Sequence, residues 1–147
     1  MRAAILDDPH RRRVAAFTIA IARAMGITRE DIRVLARIAF CYNLPPHAVP
    51  FAGAAEILLA QHESYDGTGY PQRRHGDQIP LRTHILKVAV AFETGLIDWR
   101  IHPLSRTKRQ IKDQSEKEFD PSVVSAFLQI PDAVWIDLIR SIENYRF

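Results

Sequence analysis

Two Asp-Pro pairs, Asp8-Pro9 and Asp120-Pro121, constrain this chain more than any other local feature. An aspartate accepting first-turn amides, followed by a proline whose missing N–H is not needed there, reads as a helix start. Thr28-Arg29-Glu30-Asp31 is similar to a capping box, with Asp31 where Glu or Gln is usual, and Pro131-Asp132 opens a last helix. Between these marks the apolar residues return at helical spacing. Val14, Phe17, Ile21 and Met25 lead to Gly26, and Ile32, Leu35, Ala36 and Ala39 lead to Pro45-Pro46, which cannot continue a helix. An Ala/Leu-rich helix is expected from Ala52 to about Glu63, another from Leu81 to about Leu96, and a basic one over 105–113. Val123, Val124, Phe127 and Leu128 follow Asp120, and Val134, Trp135, Leu138, Ile139 and Ile142 share the face of the last helix. No segment alternates as a strand does. The expectation is an all-α fold, with residues 1–147 forming one domain.

Composition agrees and narrows the classes. With 147 residues, 47% hydrophobic and 25% charged, the chain is neither disordered nor a disulfide scaffold. No apolar run approaches the ~20 residues of a membrane span, and Met1–Asp8 lacks a signal-peptide core, so no membrane is expected. The single Cys41 fits a reducing compartment, and a cytoplasmic setting is expected. The net charge is only +3, and its excess sits in Arg100, Arg106, Lys108, Arg109 and Lys112. No aromatic residue interleaves Arg106 to Lys112, so this run reads as a solvated helix face and no nucleic-acid partner is expected.

One stretch says more than "helical domain". Gln61-His62-Glu63-Ser64-Tyr65-Asp66-Gly67-Thr68-Gly69-Tyr70-Pro71 is followed by Gly76-Asp77-Gln78-Ile79-Pro80-Leu81. A helix end presents an imidazole and two carboxylates beside a glycine turn stiffened by Tyr70-Pro71. Such a loop suits metal or phosphate chemistry. Asp66 also has a plain role, accepting amide hydrogens of the turn that follows it.

These residues resemble the HD-GYP family, bacterial all-α metal phosphodiesterases that hydrolyse cyclic di-GMP. The family's loop reads H-H-E-x-x-D-G-x-G-Y-P, then G-x-x-I-P-L, and it matches here at His62, Glu63, Asp66, Gly67, Gly69, Tyr70, Pro71, Gly76, Ile79, Pro80 and Leu81. His10-Arg11-Arg12-Arg13-Val14-Ala15 is similar to H-S-x-R-V-A, Ile85–Phe92 to I-L-x-V-A-D-A-F, and Phe119–Val124 to F-D-P-x-V-V. The four pieces stand in the family's order.

The resemblance implies a divalent-metal site, and the chain departs from it there. His10 and His62 remain. An upstream acidic ligand falls on Leu6, the H-D pair on Cys41-Tyr42, the first loop histidine on Gln61, and the later aspartate on Val90. The segment 43–61 is shorter than the family's, so one family helix is expected to be missing. The phosphate-contacting arginine falls on His84, and Arg100 is the candidate for a later basic contact.

The leading expectation is a catalytically inactive, degenerate HD-GYP-like signalling module. Its loop, with Glu63, Asp66, Gly67, Gly69, Tyr70 and Pro71, would contact a protein partner, for which the resemblance suggests a diguanylate cyclase. His10 and His62 are remnant metal ligands, and no cofactor is expected beyond a single iron, manganese or zinc ion. Two alternatives stand beside it. One is a residual phosphodiesterase with a rearranged site drawn from His10, Cys41, His62 and His84. The other is a non-hydrolysing cyclic di-GMP receptor using Arg73, Arg74, Arg100 or the 106–112 face. A homodimer covering the face left by the missing helix is a further expectation.

Overall fold

Local side-chain chemistry starts the helices where the Asp-Pro and Thr marks stand. In the computed structural model, which describes residues 8–49, 53–96, 100 and 103–144, Asp8 Oδ1 accepts the His10 amide at 3.0 Å and opens α1 (Pro9–Ala24). Thr28 Oγ1 accepts the Asp31 amide at 3.2 Å and opens α2 (Arg29–Phe40). Asp120 accepts the amides of Ser122 and Val123 at 2.7 and 3.3 Å and opens α6 (Pro121–Gln129). The remaining helices are α3 (Ala54–Ala60), α4 (Leu81–Gly95), α5 (Leu104–Asp113) and α7 (Asp132–Asn144). Short 3-10 turns occupy Pro46–Ala48 and Gly76–Gln78. Among the described residues there is no strand, only an isolated bridge between Ser115 and Phe119. None of the described helices is long and apolar enough to cross a membrane by itself.

Two boundaries differ from the sequence reading. Helix α2 stops at Phe40, ahead of the prolines, because the Cys41, Tyr42 and Leu44 amides turn to acceptors three residues back. Helix α3 stops at Ala60 rather than Glu63, since the His62 and Glu63 amides switch in the same way and the chain turns into the loop. Its expected start at Ala52 lies outside the described residues. Val134 is exposed, because α7 buries the stripe through Trp135 and Ile139.

Helix α1 packs against α2, α4, α6 and α7 and links two apolar clusters. The larger is aromatic, with Trp135 at 5.4 Å from Phe17, 4.8 Å from Phe92 and 5.5 Å from Phe127 between ring centroids. Edge-on and tilted arrangements of this kind add to the burial of large rings. The smaller joins Val14, Ile38, Tyr42, Leu58 and Leu86 from α1, the α2 end, α3 and α4, with Val90 packed against it. Helix α4 crosses both. Its one apolar run therefore fixes the level at which Lys87, Val90 and Glu93 meet the neighbouring segments.

Candidate functional site

The glycine loop is a solid body built around Glu63. This carboxylate is 1% exposed, and its two oxygens accept the amides of Gln72 at 2.7 Å and Arg74 at 3.0 Å. Such charge-assisted bonds tie the return of the loop to its start. Tyr70 donates its amide to His62 O at 3.2 Å, and the Tyr70–Pro71 peptide is cis. A Cβ at Gly69 would lie 2.5 Å from His62 O and Ser64 N, so only glycine lets the two passes of backbone approach this closely. Asp66 Oδ1 accepts the Thr68 amide at 3.0 Å and the Thr68 hydroxyl at 2.6 Å, the turn role anticipated for it. The Thr68 hydroxyl first, and its amide second, hold the Asp66 carboxyl below its ordinary range. From beneath, buried Lys87 donates to Glu63 O and to Glu118 O, and the amides of Tyr65 and Asp66 pair with Glu118 O and Lys117 O at 3.2 and 2.9 Å. Burial pushes the Lys87 ammonium below its usual value, against the pull of Glu118, Glu63 and Asp66. What the loop offers outward is Tyr70, 63% exposed, its ring stacked on the His62 imidazole at 5.1 Å.

A second polar centre lies across α1, α2 and α4. Glu93, 3% exposed at the end of the α4 apolar run, accepts Arg13 Nε at 2.9 Å and Nη2 at 2.8 Å, both on Oε1. Its other oxygen, Oε2, faces His10 Nδ1 as a charge contact. The opposite ring nitrogen, His10 Nε2, is hydrogen-bonded by the Tyr42 hydroxyl. A phenol donating to Nε2 leaves the ring proton on Nδ1, toward the carboxylate. Gln61 Nε2 donates to Tyr42 O at 3.1 Å and closes the centre on the α3 side. Both nitrogens of His10 are thus engaged within the protein.

The HD domain family matches residues 32–123, more than half of the chain. The chain belongs to the HD-domain family. A cyclic di-GMP phosphodiesterase of Vibrio cholerae is 37% identical over 83 residues, which cover 54% of this chain and 17% of that protein. A cyclic di-GMP phosphodiesterase of Thermotoga maritima is 38% identical over 80 residues, 52% of this chain and 22% of that protein. The chain therefore spans about a fifth of the length of these curated relatives. The crystal structure of a cyclic GMP-AMP-specific phosphodiesterase of V. cholerae superposes with a TM-score of 0.71 at 14% identity, covering 92% of this chain and 48% of that one. At that identity the likeness is one of fold, and it agrees with the all-helical HD-GYP-like architecture expected from the sequence.

HD-domain phosphodiesterases work with divalent metals, and the residues here do not fit one. A first-row ion takes imidazole and carboxylate lone pairs. His10 has none to give without breaking its contacts to Tyr42 and Glu93. His62, the other histidine expected as a ligand, is exposed and stacked on Tyr70, 3.4 Å from its hydroxyl. Val90 supplies a hydrocarbon, and Leu6 lies outside the described residues. Among the described residues no three His, Cys, Asp or Glu side chains stand together as a metal group. The rearranged site is not assembled either: buried His84 is directed at Gly76 O, at 3.0 Å from Nε2. Cys41 is half-buried, and burial raises its thiol above the ordinary range, which disfavours the thiolate a metal needs.

The partner-contact residues divide as well. Tyr70 and Pro71 are exposed, and so is Asp66. Glu63 is turned inward, so the carboxylate expected to meet a partner is a building element of the loop. Gly67, at φ +83°, shapes the turn. Arg100 is exposed and pairs with Glu143 of α7 at 3.0 Å. Sequence reasoning missed Arg13, Lys87 and Glu93. The available signal was a lysine inside the apolar run Ile85–Phe92 and a glutamate ending it, since buried charges are retained only where they are paired.

Glu93→Gln should destabilise the protein by about 3 kcal/mol in urea unfolding, because it strands Arg13 against a neutral amide. Lys87→Met should cost about 1–2 kcal/mol at neutral pH by leaving two carbonyls without their donor. Lys87 has a folded-state value below 10.5, so between that value and 10.5 the unfolded chain binds more protons and stability rises with pH. The difference between the parent and Lys87→Met should accordingly widen from neutral pH towards 10.5, read by urea unfolding at stepped pH.

Proposed function

We propose that this chain is a metal-independent HD-GYP-like module that signals by protein contact within a cyclic dinucleotide network. The observation that carries the reading is the double engagement of His10 by Tyr42 and Glu93, with Arg13 supplying the positive charge. The hydrolytic machinery of the family depends on metal ions that activate water for attack on phosphorus. In this chain His10 lies between Tyr42 and Glu93, with Arg13 on the same carboxylate. The loop, by contrast, keeps the residues that give it shape, and its rigid frame presents Tyr70 and Pro71 to solvent. Retention of shape beside loss of ligands favours recognition over turnover. The partner in this reading is a signalling protein, for which a diguanylate cyclase is the class the HD-GYP resemblance suggests. The setting is the cytoplasm. The names of the relatives, cyclic di-GMP phosphodiesterases, support the signalling context.

Metal analysis and a cyclic di-GMP hydrolysis assay on one preparation test the proposal. The expected result is no stoichiometric iron, manganese or zinc and no turnover after each metal is supplied. Two tightly held ions per chain, or turnover that follows metal addition, would overturn it. Binding heat with cyclic di-GMP in the absence of turnover would replace protein docking with ligand reception.

A further inference from the structure

Helix α3 carries a surface that borders Tyr42 and Gln61 on one side and the return of the loop on the other. Leu59 is 48% exposed, whereas Ile57 and Leu58 beside it are buried. It stands as a ridge between two grooves. One, of about 420 Å3, runs over Leu44, Pro45 and Leu58 on the α2 side. The other, of about 290 Å3, is floored by Ala60 and Pro71 and edged by Glu56 and Arg74. Glu56 and Arg74 are 3.5 Å apart at their nearest charged atoms, with the glutamate largely in solvent. An exposed pair of this kind contributes little within one chain.

We propose that this patch is the docking site for a second copy of the chain, related to the first by a two-fold axis. A two-fold interface uses the same patch on both subunits, so the patch must be complementary to itself. The shape meets that condition: a ridge flanked by grooves receives the ridge of an identical surface. So does the charge. A patch shaped for an acidic or a basic partner carries one sign at its rim, whereas this one carries both. Glu56 of each copy can then meet Arg74 of the partner subunit. The apolar centre with a charged rim is the ordinary anatomy of a protein interface, and an exposed leucine seated in a groove is its natural anchor. The lining includes neither His10 nor Tyr70, while Tyr42 and His62 edge the α2-side groove.

Sedimentation velocity on the 147-residue protein tests it. The mass should rise towards two chains with increasing concentration, and Leu59→Glu should hold it at one chain with unchanged helical circular dichroism. Glu56→Arg and Arg74→Glu should each give single chains, since like charges then face across the axis. Mixed in equal amounts, these two variants should form a two-chain species. Mixing restores an acid opposite a base at both rims while the pair within each chain stays broken. A parent protein that remains at one chain up to its solubility limit would overturn the proposal, as would a dimer indifferent to Leu59→Glu or a variant mixture that stays at one chain.

Discussion

A buried carboxylate must be neutralised, and in this protein the neutralising charge on Glu93 is a guanidinium. Arg13 reaches across from α1 with two hydrogen bonds to one oxygen of Glu93, and His10 lies against the other. The arrangement fixes the rotation of α1 relative to α4. Through the Tyr42 hydroxyl at His10 Nε2 it also draws the end of α2 onto the same centre. An isolated ionised carboxylate at this depth would be strongly unfavourable, and removal of its partner would leave the largest single penalty in this part of the molecule. In an HD-domain site of the metal-dependent kind, cations serve that electrostatic need. Here Arg13 supplies positive charge at that carboxylate, the arrangement on which the proposed metal independence rests.

The loop is held by a different device and stands independently of that centre. Glu63 binds two amides of the returning arm of the loop, Lys87 binds two carbonyls beneath it, and Gly69 permits the backbone to close on itself. The Glu63 and Lys87 contacts are to backbone amides and carbonyls rather than to the side chains around His10.

Legibility in the sequence followed the range of the interactions. The caps at Asp8, Thr28 and Asp120 were readable because each acts on an amide two or three residues away. Asp66 was readable for the same reason. The helical class followed from the spacing of the apolar residues, although the ends of α2 and α3 did not. Those ends are set by turn hydrogen bonds and, after α3, by the burial of Glu63, which depends on amides nine and eleven residues later. The Arg13–Glu93 pair spans eighty positions, and nothing in either residue's neighbourhood names the other. The HD-GYP resemblance implies ligand positions at Cys41-Tyr42 and Val90, where this chain carries other side chains. It could not show that Tyr42 and Glu93 had closed on the histidine that remained.

Arg13, Glu93, His10 and Tyr42 contact one another in this part of the fold. A resident ion that binds only the folded state raises its stability, so its removal must lower the melting temperature. The decisive measurement is thermal unfolding of the protein before chelation, after chelation, and after return of manganese, iron or zinc. Superimposable curves with one Tm are expected. A Tm that falls on chelation and recovers with any of these ions would show that a metal, and not the four side chains, holds the centre.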